Sequence, residues 1–381
     1  MSSVKRRFGD FAEMVNDRVD NPASSGLSRY VGLEHLDPGV IRIVRTGSTD
    51  DVGSTKFRFR SGDVIYARRN PHLRKAGLAD FDGIASAHSL VLRAVPTVCT
   101  PEYLANFLIS STFSKRAMAI SVGSLSRTIN WPDLRTQEFD LPPLDEQLRI
   151  VEVMRAVDRE IEAATFVLDL IRTTIASLVD SQTDATAPRQ LLKGILAART
   201  SGAWGVGESD ESRPIKVRVI TNGDIRPDGT IGGHSTRWYS AREVSRFVLK
   251  SGDTLMAASG ATIGRTARIL PELISEAVEP LAFSNFVHLL RPGDAIGPNY
   301  LYAQARYGSI QHDIERLSSG STLANLNVDF YERAKIRVPQ AEDMVRLEGE
   351  ISALLHTEGA ARQTISGSLL LRTSLLQELI G

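Results

Sequence analysis

FRFRSGDVIYAR, residues 57–68, and FVLKSGDTLMAA, residues 247–258, decide how this chain is organised, because they read as two copies of one stretch. Ser61-Gly62-Asp63 returns as Ser251-Gly252-Asp253, in each case a tight turn feeding a short apolar run, Val64–Ala67 or Thr254–Ala257, that reads as a strand. The offset of 190 also lays Tyr30-Val31-Gly32-Leu33-Glu34 over Ile220-Thr221-Asn222-Gly223-Asp224. Each half then has an apolar run ending in arginine, His88–Arg93 and Phe286–Arg291. Further on, at an offset of 197, Tyr103-Leu104 lies over Tyr300-Leu301, Gly123-Ser124 over Gly320-Ser321, Ile129-Asn130 over Leu326-Asn327, and Phe139–Pro142 over Ile336–Pro339. Matches in one order at a nearly fixed spacing mean internal duplication. Residues 101–118 and 299–318 read as helices that carry Tyr103 and Tyr300 on inward faces, so each half is a mixed module of about 140 residues.

A long helical pattern follows each module. Ile150, Met154, Val157, Ile161, Ala164, Leu168, Ile171, Ile175 and Leu178 alternate spacings of four and three, the mark of a helix burying one stripe against another long helix. Pro142-Pro143 suits its start, and residues 144–179 would extend about 50 Å at 1.5 Å per residue. The second pattern, residues 342–380, runs through Leu347, Ile351, Leu354, Ala361, Ile365, Leu369 and Leu376. Glu358 interrupts that stripe, and Gly359 and Gly367 each cost roughly 1 kcal/mol of helix stability relative to alanine, so a less regular helix is expected. The fold class that follows is α+β, two tandem modules separated by long antiparallel coiled-coil helices. The domain reading is a first module over 1–143, a helix over 144–180, an exposed link with some returning helix over 181–200, a second module over 201–340 and a second helix over 341–381.

Composition narrows the function. Hydrophobic residues make up 42% of the chain and the mean hydropathy is −0.11, enough apolar content for real cores. Cys99 is the single cysteine, so an intrachain disulfide cannot form. The opening MSSVKRRFGDF lacks a signal peptide's apolar core, and no stretch reaches the eighteen or so apolar residues of a membrane span, so a cytoplasmic setting is expected. There is no GxxxxGK[ST] phosphate loop, HExxH or GxSxG, and Ser259–Gly264 lacks the third glycine of a dinucleotide fingerprint. Asp145-Glu146 reads as first-turn acids favoured by the helix dipole. No catalytic residues and no metal ligands are therefore expected.

The 45 basic and 45 acidic residues cancel, yet residues 56–75 hold Lys56, Arg58, Arg60, Arg68, Arg69, Arg74 and Lys75 against Asp63 alone. Such a run is either a phosphate-facing patch or a solvated surface rich in arginine.

The paired modules and the closing run Leu141-Pro142-Pro143-Leu144-Asp145-Glu146-Gln147-Leu148-Arg149-Ile150 resemble the specificity subunit of type I restriction-modification systems. The resemblance implies a non-catalytic protein in which each module is a target recognition domain reading one half of a split site in double-stranded DNA. It also implies helices that set the unread spacer and dock two methyltransferase (modification) subunits, on which S-adenosylmethionine is bound, with restriction or translocase subunits joining the assembly. In the second half Pro339-Gln340-Ala341-Glu342-Asp343-Met344 replaces the closing motif, keeping one proline and the acidic character but losing the glutamine. Candidate DNA contacts in the first module are Lys56, Arg58, Arg60, Arg68, Arg69, Asn70, His72, Arg74, Lys75, Ser124, Ser126 and Arg127. Those in the second are Ser259, Thr262, Arg265, Ser319, Ser321 and Thr322. Arginine pairing with guanine makes Arg68 and Arg69, directly after their strand, the strongest base-reading candidates. Candidate subunit contacts are Pro142, Pro143, Leu144, Glu146, Gln147, Ile150, Met154 and Ile161. The competing reading is a protein-interaction scaffold of a related phage-defence complex, favoured by the neutral net charge.

Overall fold

A computed structural model describes residues 3–181, 189–318 and 325–380. The chain divides into two units, Met1–Ala164 with Gln363–Gly381, and Thr165–Arg362. Two long helices, Leu144–Ser181 and Ala341–Leu379, each contribute a segment to both.

In the first unit the strand Val64–Ala67 sits inside a four-stranded antiparallel sheet ordered Ala12–Val15, Ser89–Ala94, Val64–Ala67, Ala76–Leu78. All four of its side chains are buried, because each face of the sheet is covered. Val64 and Tyr66 join a core with Phe8, Phe11, Phe107, Phe113 and Phe139, while Ile65 and Ala67 face a smaller core with Val31 and Phe59. The second unit repeats the sheet strand for strand: Leu196–Ser201, Val287–Pro292, Thr254–Ala257, Thr266–Arg268. A parallel pairing recurs as well, Arg29–Val31 on Gly83–Ala85 and Ile215–Ile220 on Leu281–Phe283.

The repeated motif has one physical job in both units. Asp63 accepts a two-pronged ion pair from Arg93, at 2.7 and 2.9 Å, and Asp253 accepts one from Arg291, at 2.7 Å on both oxygens. Both aspartates are 1% exposed, and each also accepts the amide of the residue that opens its turn, Arg60 or Lys250. Gly62 and Gly252 take φ of 89° and 86°, a backbone position that favours glycine. The arginine that ends each apolar run is thereby explained as the partner of the turn aspartate.

Several sequence expectations need correction. The helix read over 101–118 is two, Pro101–Leu108 and Ser111–Ile120, because the Ser110 hydroxyl accepts the Phe113 amide and starts a new helix. Its counterpart is likewise Pro298–Arg306 and Ser309–Ser318. From Arg189 the segment read as a link is a strand, a short helix and a strand, Arg189–Leu191, Leu192–Ile195 and Leu196–Ser201, paired to Lys335–Arg337 and Val287–Pro292. It mirrors Val4–Arg7, Phe8–Phe11 and Ala12–Val15, so it belongs to the second unit's sheets.

The long helices bury the expected stripe: Ile150, Met154, Val157, Leu168, Ile171 and Ile175 are all at most 7% exposed. The second helix is uninterrupted, and its stripe continues through polar residues. Glu358, Ser368 and Arg372 are buried, whereas Leu369, expected in the stripe, is 44% exposed. Pairing explains the exchange. In the first unit Arg372 donates to Asp158 at 2.5 Å and Ser368 to Glu160 at 2.8 Å, an antiparallel register. In the second, Glu358 meets Arg172 at 3.5 Å and is also bonded by Arg362 and Tyr307.

Candidate nucleic-acid interface

The strand Val64–Ala67 delivers Arg68 and Arg69 into a loop closed by the bond from the Ala67 amide to the Lys75 carbonyl, 3.0 Å. Asn70 and Arg74 hold φ of 52° and 49° on either side of the turn Pro71–Leu73, and proline supplies the fixed φ between them. A second loop is stitched alongside. Ile129 donates its amide to the Arg68 carbonyl at 3.1 Å and Asn70 donates to the Arg127 carbonyl at 2.7 Å. The Arg68 guanidinium donates to Asn130 Oδ1 at 2.6 Å. Gly123, with φ of 98°, and the bonds between Val122 and Thr128 turn this loop back on itself. Arg68, Arg69, Asn70, Ser124, Ser126 and Arg127 are thus brought to one edge, with Arg69, Ser124, Ser126 and Arg127 exposed.

Other members of the basic run are placed differently. Lys56 is buried with its ammonium on the Ser54 carbonyl and hydroxyl, Arg58 lies 3.7 Å from Asp17, and Lys75 donates to the Leu33 carbonyl. Arg60 and His72 are exposed and Arg74 half-buried. Cations nonetheless act on the loop edge. Partial burial, then Arg69, Arg68 and Lys56, hold the exposed His88 imidazole below its ordinary pKa. Burial and then Arg69 lower that of Arg68, whose Nε is buried without a partner. His88, whose carbonyl accepts the Arg68 amide, is a member of this edge that the sequence reading passed over as a strand start.

The second unit repeats the scaffold with other chemistry. Leu326 donates its amide to the Ala258 carbonyl at 2.8 Å, the counterpart of Ile129 on Arg68, and Ala257 donates to the Arg265 carbonyl, the counterpart of Ala67 on Lys75. Within this loop Ser259 and Thr262 gather around Asn222, whose amide lies 3.4 Å from the Ser259 hydroxyl and 3.3 Å from that of Thr262. Asn222 was missed as a site residue, although it stands inside the repeat. Ser319, Ser321 and Thr322 lie outside the described residues.

The positions expected at a subunit interface divide into two groups. Gln147 is fully buried, accepting the Thr100 amide at 3.0 Å and donating to the carbonyls of Val98 and Pro142. Ile150 and Met154 belong to the unit's own core, so these three side chains have no surface to offer a partner. Pro143 is exposed, and Pro142, Leu144, Glu146 and Ile161 are half-buried. The second unit replaces the lost glutamine: Met344 Sδ accepts the Gly297 amide, and Glu348 accepts those of Asn299 and Tyr300 at 2.8 and 2.9 Å, a carboxylate on a helix N-terminus. Outward-facing apolar side chains on the first long helix include Leu148, Phe166 and Leu170. Among the described residues no helix is long and apolar enough to cross a membrane, and no His, Cys, Asp and Glu group could hold a metal ion.

Comparison with known proteins gives this geometry a context. Residues 4–166 match the family described as type I restriction modification DNA specificity domain. The type I restriction enzyme EcoDI specificity subunit of Escherichia coli is 31% identical over 147 residues, 38% of this chain and 32% of that protein, so the match spans about a third of that relative's length. The fold is similar over its whole length to the type I restriction-modification S subunit from M. genitalium. That match has a TM-score of 0.60 and 16% identity, and covers 100% of this chain and 96% of that one. A chain from a structural study of complex assembly and conformational transition of the type I R-M system matches with a TM-score of 0.53 and 19% identity, over 99% and 97% of the two chains.

Proposed function

We propose, from the premise that the first unit carries a type I restriction modification DNA specificity domain and that the whole chain has the fold of such S subunits, that this protein is the sequence-reading subunit of a type I restriction-modification complex. In this reading it is cytoplasmic, non-catalytic and specific for a bipartite target in double-stranded DNA. Each unit reads one half-site, the second recognition domain beginning at Arg189. The long helices set the spacer and hold two methyltransferase subunits, which bring S-adenosylmethionine and the reaction, with restriction or translocase subunits in the larger assembly.

The observation that carries the proposal is the loop edge built twice on the same hydrogen bonds, Ile129 to Arg68 and Leu326 to Ala258, with different side chains mounted on it. A scaffold that must read two unlike sequences needs constant backbone and variable tips, because base edges are distinguished by side-chain donors and acceptors. Arg68, Arg69, Asn70, Ser124, Ser126 and Arg127 then form the first reading edge, with His88 beside them. Arg60, His72 and Arg74 supply phosphate contacts, while Lys56, Arg58 and Lys75 act through their field. Asn222, Ser259 and Thr262 form the second reading edge, with Ser319, Ser321 and Thr322 as its further contacts. Pro142, Pro143, Leu144, Glu146 and Ile161, with exposed Leu148, Phe166 and Leu170, face the methyltransferase subunits.

Footprinting of the complex with its methyltransferase partner on a selected target tests this. Two protected tracts separated by an unread stretch are expected; one continuous tract, or protection indifferent to sequence, would sink the proposal. The scaffold alternative predicts DNA binding without the steep negative salt dependence that phosphate contacts impose.

A further inference from the structure

The second unit holds a cavity of about 600 Å³ beneath the loop that follows Thr254–Ala257. Arg172, Arg265 and Arg306 bring three positive charges to its wall and Asp228 one negative charge. The arginines are not equally spent. Arg172 is paired with two carboxylates, Asp169 at 3.4 Å and Glu358 at 3.5 Å. Arg306 donates to the carbonyls of Thr266 and Pro227 and to the Tyr307 hydroxyl, neutral acceptors that fix the guanidinium, and the carboxylates that act on it, Glu358 and Asp228, make no hydrogen bond to it. Arg265 forms no ion pair among the described residues. Asp228 is occupied by the Thr230 amide and hydroxyl, at 2.9 and 2.7 Å. Gln311, also on the wall, has an amide oxygen buried without a partner.

The first unit provides a contrast. Its cavity of about 610 Å³ is lined by Arg42, Arg155 and Arg159 too, but by four carboxylates, Asp80, Glu102, Asp158 and Glu162, two of which pair with Arg155, at 2.5 Å, and with Arg42. Size and arginine content alone thus do not separate the two cavities. The balance of charge does: three arginines face one carboxylate in the second unit's cavity and four in the first's.

We propose that the second unit's cavity is a phosphate-binding site in which Arg265 and Arg306, with Arg172 behind them, hold one phosphate group. Guanidinium forks match phosphate oxygens in geometry, and Arg306, already fixed, loses little freedom on binding. The proposal rests on the DNA-reading function for its source, a backbone phosphate of the second half-site; a free nucleotide offers the same chemistry. It assigns Arg265 to positioning rather than base reading, and leaves Asn222, Ser259 and Thr262 to the bases.

The complex of the full chain with its methyltransferase partner is titrated with a duplex selected from a random pool, across a salt series. Arg265→Gln is expected to reduce the magnitude of the slope of log K against log salt by about 0.9, one phosphate contact, with base preference unchanged. Arg265→Lys is expected to keep the slope. In parallel the full chain is titrated calorimetrically with inorganic phosphate and with a mononucleotide. A slope reduced by about 0.9 in Arg265→Gln, with base preference unchanged, supports the site with DNA as source. An unchanged slope with mononucleotide or phosphate binding abolished by Arg265→Gln supports it with a free nucleotide as source. An unchanged slope together with phosphate binding that is absent, or indifferent to Arg265, overturns it. Failure of the wild-type complex to prefer any sequence would refute the DNA-reading function instead, and the calorimetric arm would still decide the cavity.

Discussion

At the scale of single residues, the chain spends its buried polar groups on fixed partners and leaves others to report on folding. His288 is 4% exposed beside the Tyr331 hydroxyl, and burial pushes its imidazole down to about 4. The unfolded chain takes up a proton near pH 6.5 that the folded one refuses. The stability from this group is therefore complete above pH 6.5 and is lost as pH falls toward 4, by roughly 3 kcal/mol at most. Denaturant titrations of the wild type and His288→Gln over that range should show the wild type losing more stability with acid, and parallel curves would refute the assignment. Cys99 offers a simpler check. Burial pushes its thiol up to about 12, so a thiol reagent at neutral pH should leave the native chain unlabelled and label it once unfolded.

At the scale of elements, the seam between the long helices shows why heptad reading is incomplete. Apolar periodicity found the positions of the stripe in the first helix, because those positions carry isoleucine, methionine, valine and leucine. In the second it faltered at Glu358 and placed Leu369 inside, since nothing local says that Arg372 and Ser368 have acidic partners some two hundred residues earlier in the chain. A buried charge left alone costs more than the pair contributes. Asp158→Leu, which leaves Arg372 buried with only neutral acceptors, the Gly39 carbonyl and Asn106, should destabilise the first unit by about 3 kcal/mol, while Asp158→Leu with Arg372→Leu should recover most of that loss. Urea unfolding of the single and double variants measures it, and an additive double variant would show that the pair is not coupled.

At the scale of the whole molecule, two copies of one scaffold carry unlike edges, one cationic around Arg68, Arg69 and His88, the other neutral around Asn222, Ser259 and Thr262. If each edge reads its own half-site, damage to one should leave the other tract intact. Arg69→Gln should relax base preference in one protected tract, with a loss of about 1–3 kcal/mol at a directly read base, and Asn222→Ala should act only in the other. Selection of preferred sites by each variant decides this, and relaxation spread evenly over both tracts would contradict separate reading.

The amino-acid sequence alone established the duplication, the turn and strand at each Ser-Gly-Asp, the ends of the first long helix and the family likeness. These depend on spacing, glycine conformation and local apolar period, properties that neighbouring residues fix among themselves. Tertiary structure decided which cations of the basic run remain available, that Gln147 closes its own unit, and that the segment from Arg189 is sheet. It also decided that Arg265 faces a cavity. Burial and ion pairing are set by atoms brought near from distant positions, and no local pattern records which carboxylate or carbonyl will arrive.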